Sequence, residues 1–265
     1  MTQAYLGSVG VIGPGIPDWH TARAVLRGEC EYKAGPAPEP DAAVLPANER
    51  RRAAATVRWA LAVAQQATSA GGCRPDDVAT VFASSGSDGE TLHRICEALA
   101  GAEREISPTR FHNSVHNAAA GYWTIAAGSR KPSVSVCGYD ASFAVGLVEA
   151  VSQVHAEGVP VLLVAYDLPY PQPLYAVRPF EYPLAVALLL APEPVPGTLA
   201  RLRVEVAPEA SACTPFPAAL PAAFADTPAG RSLALLASVA RGGRESVRLG
   251  YLDGCQLVVD AVTWS

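Results

Sequence analysis

Charge is sparse in this chain. Only 17% of its 265 residues are Asp, Glu, Lys or Arg, and half are hydrophobic. Such a chain is neither disordered nor a coiled coil, and it is long enough to bury a substantial core. The net charge is −5, and the longest basic run is Arg50-Arg51-Arg52. A phosphate backbone calls for a basic face, so nucleic acid is excluded as a partner. No Cys-x-x-Cys pair occurs among Cys30, Cys73, Cys96, Cys137, Cys213 and Cys255, which read as reduced, mostly buried thiols. His112 and His116 stand four apart, but His-Asn-Ser-Val-His-Asn is not a metalloprotease pattern and offers no third ligand. No metal and no cofactor are expected. No histidine follows His155. The first fifteen residues have no basic start and no long apolar stretch, so they do not read as a signal peptide. The longest hydrophobic run, Leu184 to Ala191, is too short to cross a bilayer. These absences together predict a cytoplasmic protein without membrane insertion.

What is present is an alternation of short apolar runs and helical patterns. Tyr5 to Ile12 reads as a strand closed by Gly13-Pro14-Gly15, and Asp18 is placed to cap a helix through Leu26. The Pro- and Ala-rich stretch 35–46 reads as a loop. Glu49 to Ala70 has Val57, Ala60, Leu61 and Ala64 at helical spacing and stops at Gly71-Gly72, predicting one long helix. Val78 to Ala83 is a strand, followed by Ser84-Ser85-Gly86-Ser87-Asp88-Gly89. That loop lacks the lysine and spacing of a phosphate-binding loop, so a strand-to-helix turn with a cap is expected. Helices are predicted over 91–100 and 117–127, with a loop opening at Ser107-Pro108. Ser133 to Val136 reads as a buried strand, 142–157 as a long helix, and Val159 to Ala165 as a wholly apolar strand. Two more strands, 184–190 and 199–206, flank the turn 192–197. Beyond them only a helix at 230–240 and a closing strand from Gln256 to Trp264 are legible. Apolar strands covered by helices on both sides indicate an α/β protein. No repeat or linker interrupts the chain, so one domain spanning 1–265 is expected.

The segment Ser133 to Gly146 (SVSVCGYDASFAVG) has the form of a nucleophile elbow: strand, tight turn, helix start. Such a turn presents one side chain beside the amide donors of the helix start. That side chain is Asp140. A carboxylate is a poor substitute for a thiolate, and Cys137 falls in the apolar strand, where it reads as a core residue. The scaffold suits acyl chemistry, but the nucleophile is missing.

From Ile106 to Leu168 the sequence resembles the amino-terminal half of a β-ketoacyl synthase of the thiolase superfamily. The landmarks are Ile106-Ser107-Pro108, Asn117, Ala120-Gly121, Pro132-Ser133-Val134-Ser135 and the elbow, and Arg178-Pro179-Phe180-Glu181 is similar to the family's RPFD turn. The likeness is strongest over 106–181, and 207–265 diverges. It implies a thiolase-like α/β fold, with layered helices around a mixed β-sheet. It places the family's active cysteine on Asp140. The family's histidine motifs, His-Gly-Thr and Asn-His-x-Phe-Gly, are absent.

The chain therefore resembles the short synthase-like proteins of bacterial aryl polyene clusters and the chain-length factors of polyketide systems. The resemblance implies a non-catalytic subunit that pairs with an active ketosynthase and helps to form an acyl tunnel. An acyl carrier protein is a further candidate partner, for which the arginines at 50–52 and Arg58 are the densest basic patch. The family's subunit contact maps to Ser133, Val134, Ser135, Val136 and Cys137 and to the loop 109–117, ending at Asn117. Phe111, Val115, Tyr122 and Trp123 are candidates for the tunnel wall, although Tyr122 and Trp123 read equally well as core aromatics of a helix. Two other readings remain: an acyl thioester hydrolase or decarboxylase using other groups, and a homodimeric binding or scaffold protein.

Overall fold

The computed structural model describes residues 2–263; Trp264, with which the last predicted strand was to end, lies outside them. Strand β1 (Thr2–Ile12) leads into helix α1 (Trp19–Leu26), whose first turn is capped by Asp18 accepting from Thr21 N at 2.8 Å. Helices α2 (Ala47–Arg52) and α3 (Ala55–Ala70) follow, then β2 (Ala79–Ala83), α4 (Gly89–Ala100), α5 (Pro108–Asn113) and α6 (Ala118–Ala127). Next come β3 (Ser133–Val136), α7 (Ser142–Glu157), β4 (Val161–Asp167), α8 (Leu174–Val177), β5 (Leu184–Ala191) and β6 (Ala200–Pro208). The chain continues through α9 (Ala223–Asp226), α10 (Ser232–Arg241), β7 (Arg244–Gly250) and β8 (Cys255–Thr263). The strands form one mixed sheet in the order β3-β2-β4-β5-β1-β6-β8-β7. β3, β2 and β4 are parallel and the other pairings antiparallel.

Alternation along each strand divides the core into two layers. In β4, Val161, Leu163 and Ala165 join α7 and α10 on one face, whereas Leu162, Val164 and Tyr166 join α3 and α6 on the other. β5 divides the same way, with Leu184, Val186, Leu188 and Leu190 on the α7 side and Ala185, Ala187 and Leu189 on the α3 side. Both strands are buried throughout, which is why they read as unbroken apolar runs. A bulge between Leu6 and Ser8 lets Leu6 and Val9, an odd number of residues apart, face the α7 layer together. Helix α7 lies close on the sheet because Gly146 leaves room: a Cβ there would stand 2.8 Å from both the Ala83 Cβ and a Leu163 methyl.

Several expectations need correction. The helix predicted over 49–70 is broken at Ala53 and Ala54, which are extended. Side chains take up the freed carbonyls: Asn113 donates to Arg52 O at 2.8 Å and Arg58 to Ala53 O at 3.1 Å. The loop expected after Ser107 contains α5, with Pro108 in its first turn. β7 was not foreseen. The cysteines are all free, as read, but none is buried: Cys30, Cys96, Cys137 and Cys213 are exposed and the other two half-buried. Nor is β3 a buried strand. It pairs with β2 on one side only, and its residues are half-buried or, at Ser133, exposed. Among the described residues no helix is long and apolar enough to cross a membrane.

Candidate functional site

The parallel strands β3, β2 and β4 end at a common rim, the place where open α/β sheets receive ligands. Cys137 follows β3, Ser84 and Ser85 follow β2, and Asp167 closes β4. At this rim the chain makes the turn anticipated in the sequence. Gly138 makes the turn compact: a Cβ there would stand 2.5 Å from a Val145 methyl, which would have to move. Tyr139 adopts φ +53°, a left-handed conformation costly for a bulky residue. Ser142 Oγ closes the turn, accepting from Gly138 N at 3.1 Å and donating to Tyr139 O at 2.6 Å. Asp140 is thereby presented just ahead of α7.

Each oxygen of its carboxylate meets an arginine. Arg178 Nη2 lies 2.6 Å from Oδ1, and Arg231 Nη2 lies 3.2 Å from Oδ2. Arg178 comes from the Arg-Pro-Phe-Glu turn and Arg231 from the turn before α10. The Arg178 guanidinium also stacks on Tyr139, 3.6 Å from the ring centroid, and approaches Tyr170 at 5.7 Å. Its side chain is only 14% exposed, against 43% for Asp140. A carboxylate whose oxygens are held by two guanidiniums has little freedom to attack. No histidine is found within bonding distance of it among the described residues.

Behind this ion cluster lies a buried polar network. Asp167 Oδ1 accepts from Ser85 N at 2.8 Å and Ser85 Oγ at 2.6 Å, while Oδ2 accepts from Ala229 N at 3.1 Å. Burial pushes the Asp167 carboxyl up to about 6, partly opposed by the Ser85 hydrogen bonds and the charge of Arg178. Ser85 Oγ also meets the Tyr170 hydroxyl at 3.1 Å, and burial raises that phenol too. Tyr170 packs so closely on Gly86 and Gly89 that a Cβ at either would fall within 2.3 Å of its ring or hydroxyl. The loop 84–89 does end in a helix cap, with Asp88 accepting from Thr91 N at 2.8 Å. It also belongs to the site, which its spacing did not reveal.

The other predicted residues are distributed as follows. Cys137 is exposed and lies beyond β3, donating to Ser85 O at 3.3 Å, so the expectation of a core residue is overturned by its place at the rim. His116 Nε2 lies 3.3 Å from Ser84 O. Ser133, Val134, Ser135 and Val136 form the sheet edge, with Asn117 exposed nearby at the start of α6. Phe111 and Val115 are 65% and 46% exposed. Tyr122 and Trp123, at 1% and 3%, are packed with α3 and the sheet in this chain's own core, in keeping with their reading as core aromatics. Arg231, Tyr170, Asp167 and Ser85 were not foreseen as site residues. Arg178 had a signal in its motif, whereas Arg231 had none.

The family model for the beta-ketoacyl synthase N-terminal domain matches residues 22–242. The chain belongs to that family. A chain of the ketosynthase ApeO in complex with its chain length factor ApeC, from Xenorhabdus doucetiae, is 26% identical with a TM-score of 0.72, the match covering 98% of this chain and 99% of that one. The ishigamide ketosynthase/chain length factor aligns at 14% identity and TM-score 0.75, over 100% of both chains. A beta-ketoacyl synthase from Burkholderia phymatum STM815 aligns at 12% and 0.74, also over 100% of both. The last two show the thiolase-like synthase fold alone. Comparison with curated proteins gives no match.

Proposed function

We propose that this chain is a non-catalytic, chain-length-factor-like subunit that pairs with an active β-ketoacyl-[acyl carrier protein] synthase in aryl polyene or polyketide-type biosynthesis. The observation that carries this reading is Asp140. The position that presents the family's nucleophile holds a carboxylate neutralised by Arg178 and Arg231. Covalent acyl catalysis needs an activated nucleophile with a base beside it, and among the described residues no base bonds to Asp140. Family membership supports the reading, as does the likeness to a complex described as a ketosynthase with its chain length factor.

The bare edge of β3 is the contact we assign to the partner. An uncharged, unpaired edge strand invites pairing with another chain, and the chain also exposes Tyr139, just beyond this strand, and Phe111 and Val115 in the segment ahead of α6. Phe111 and Val115 are the side chains that would reach the partner's acyl passage. The acyl chain would be carried by an acyl carrier protein docking on the pair. Co-expression with a synthase that retains its cysteine and both histidines, followed by pull-down and a condensation assay, tests the proposal. A stable pair, with condensation that requires both chains, is expected. Turnover of acyl thioesters by this chain alone, abolished by one substitution within it, would overturn the non-catalytic reading.

A further inference from the structure

Arg231 has a second environment besides Asp140. It lines a cavity of about 260 Å³ between the turn preceding α10, strand β7 and the segment around Cys213 and Thr214. The cavity walls are otherwise largely apolar, with Phe216, Ala225, Ala234 and Leu249, and no carboxylate belongs to the lining. Gly250 forms part of the wall. A Cβ built on it would stand 3.2 Å from Arg231 Nη1 and 3.9 Å from Cys213 Sγ, so guanidinium and thiol converge over a residue that leaves the space open. The outer wall is fixed rather than loose: Thr214 N donates to Arg248 O and Arg248 N to Thr214 Oγ1, both at 2.8 Å.

We propose that this cavity binds a small monocarboxylate with an apolar tail. The charge selects the anion. Arg231 bonds to Asp140 through Nη2 and turns Nη1 towards the cavity, leaving donors in a half-enclosed place where a charge-assisted hydrogen bond is strong. Arg248 also belongs to the lining, but Arg231 is the guanidinium that stands over Gly250, and its one open nitrogen matches a single carboxylate. The walls select the tail, since each methylene they cover contributes about 0.8 kcal/mol of burial in general. The volume lies just under the usual range of about 300–1,000 Å³ for drug-sized ligands, which restricts the tail to a few carbons or one ring. The site is separate from the β3 edge, so binding is measured on the isolated chain and stands or falls apart from the partner reading.

Cys213 provides the readout, because it is exposed and lines the cavity. The rate of maleimide labelling at each cysteine is followed by peptide mass mapping in sodium hexanoate and, separately, in hexanamide. Hexanoate should slow labelling at Cys213 but not at Cys30 or Cys96, and hexanamide should be about tenfold weaker, since it keeps the tail and loses the charge-assisted bond. Arg231→Gln should abolish the protection, and Gly250→Ala, which puts a methyl between guanidinium and thiol, should weaken it, with circular dichroism checking the fold. If Arg231→Gln fails to fold, Gly250→Ala decides. No protection at Cys213, equal protection by hexanamide, or protection unchanged by Gly250→Ala would overturn the proposal.

Discussion

Asp140 and Arg178 meet at 2.6 Å, and the arginine that holds the carboxylate also lies over the ring of Tyr139, the residue just before it. The elbow and the Arg-Pro-Phe-Glu turn are therefore clamped to one another. The clamp gives Asp140 a structural role, joining two turns that are 38 residues apart in sequence.

Removing the carboxylate should therefore destabilise the fold. Asp140→Ala leaves the mostly buried Arg178 guanidinium without its main partner, and a loss of about 1–2 kcal/mol is expected. Thermal unfolding of the isolated chain measures it, with Asp140→Asn losing less. Asp140→Cys should give no condensation, since no histidine bonds at that position among the described residues. Intact-mass analysis after incubation with acyl-carrier thioesters should find no adduct on the wild-type chain.

Asp167 makes stability depend on pH in an unusual sense. Burial raises its carboxyl from an ordinary 3.8 to about 6. Between those values the unfolded chain has released its proton and the folded chain has kept it, so stability falls as pH rises. The contribution is complete below the unfolded value and lost above the folded one, with a slope of at most about 1.4 kcal/mol per pH unit. Urea midpoints across this window, for the wild type and Asp167→Asn, should show the descending trend in the wild type and a flatter one in the variant.

The aromatic residues once grouped together should separate. Trp123→Ala removes a core side chain and is expected to cost about 3–5 kcal/mol in the isolated chain. Phe111→Ala, at an exposed site, should change that stability by less than about 0.5 kcal/mol. In the reconstituted pair, trimming Phe111 or Val115 should lengthen the products, and a bulkier residue at Val115 should shorten them, as read by mass spectrometry. Lower turnover with unchanged product lengths would make both residues interface filler.

These contrasts follow the limits of what the sequence conveys. β4 and β5 are legible because both faces are buried and every position is apolar. Asp18 is legible as a cap, and Asp140 as the presented residue, because each acts within a few positions of where it stands. β7 is not, since Arg-Glu-Ser-Val-Arg-Leu-Gly buries only Val247 and Leu249. The break at Ala53 has no breaker residue and depends on Asn113, distant in sequence. Arg231 likewise reaches Asp140 only once the sheet has brought α10 round to the elbow. Apolar strands look alike whether central or peripheral, so β3 read as buried when it is an edge.

Ser135→Pro should abolish partner binding by removing an amide donor and placing a rigid ring in the edge strand. Circular dichroism of the isolated variant separates loss of contact from loss of fold, because an edge strand can be distorted while the six central strands stay paired.

The most direct test of the central claim is amide hydrogen exchange across Ser133 to Cys137, measured on this chain alone and in complex with an active ketosynthase. The account predicts fast exchange on the open side of β3 in the free chain and marked protection in the complex, centred on this strand. A complex that forms while exchange across β3 stays unchanged would contradict it.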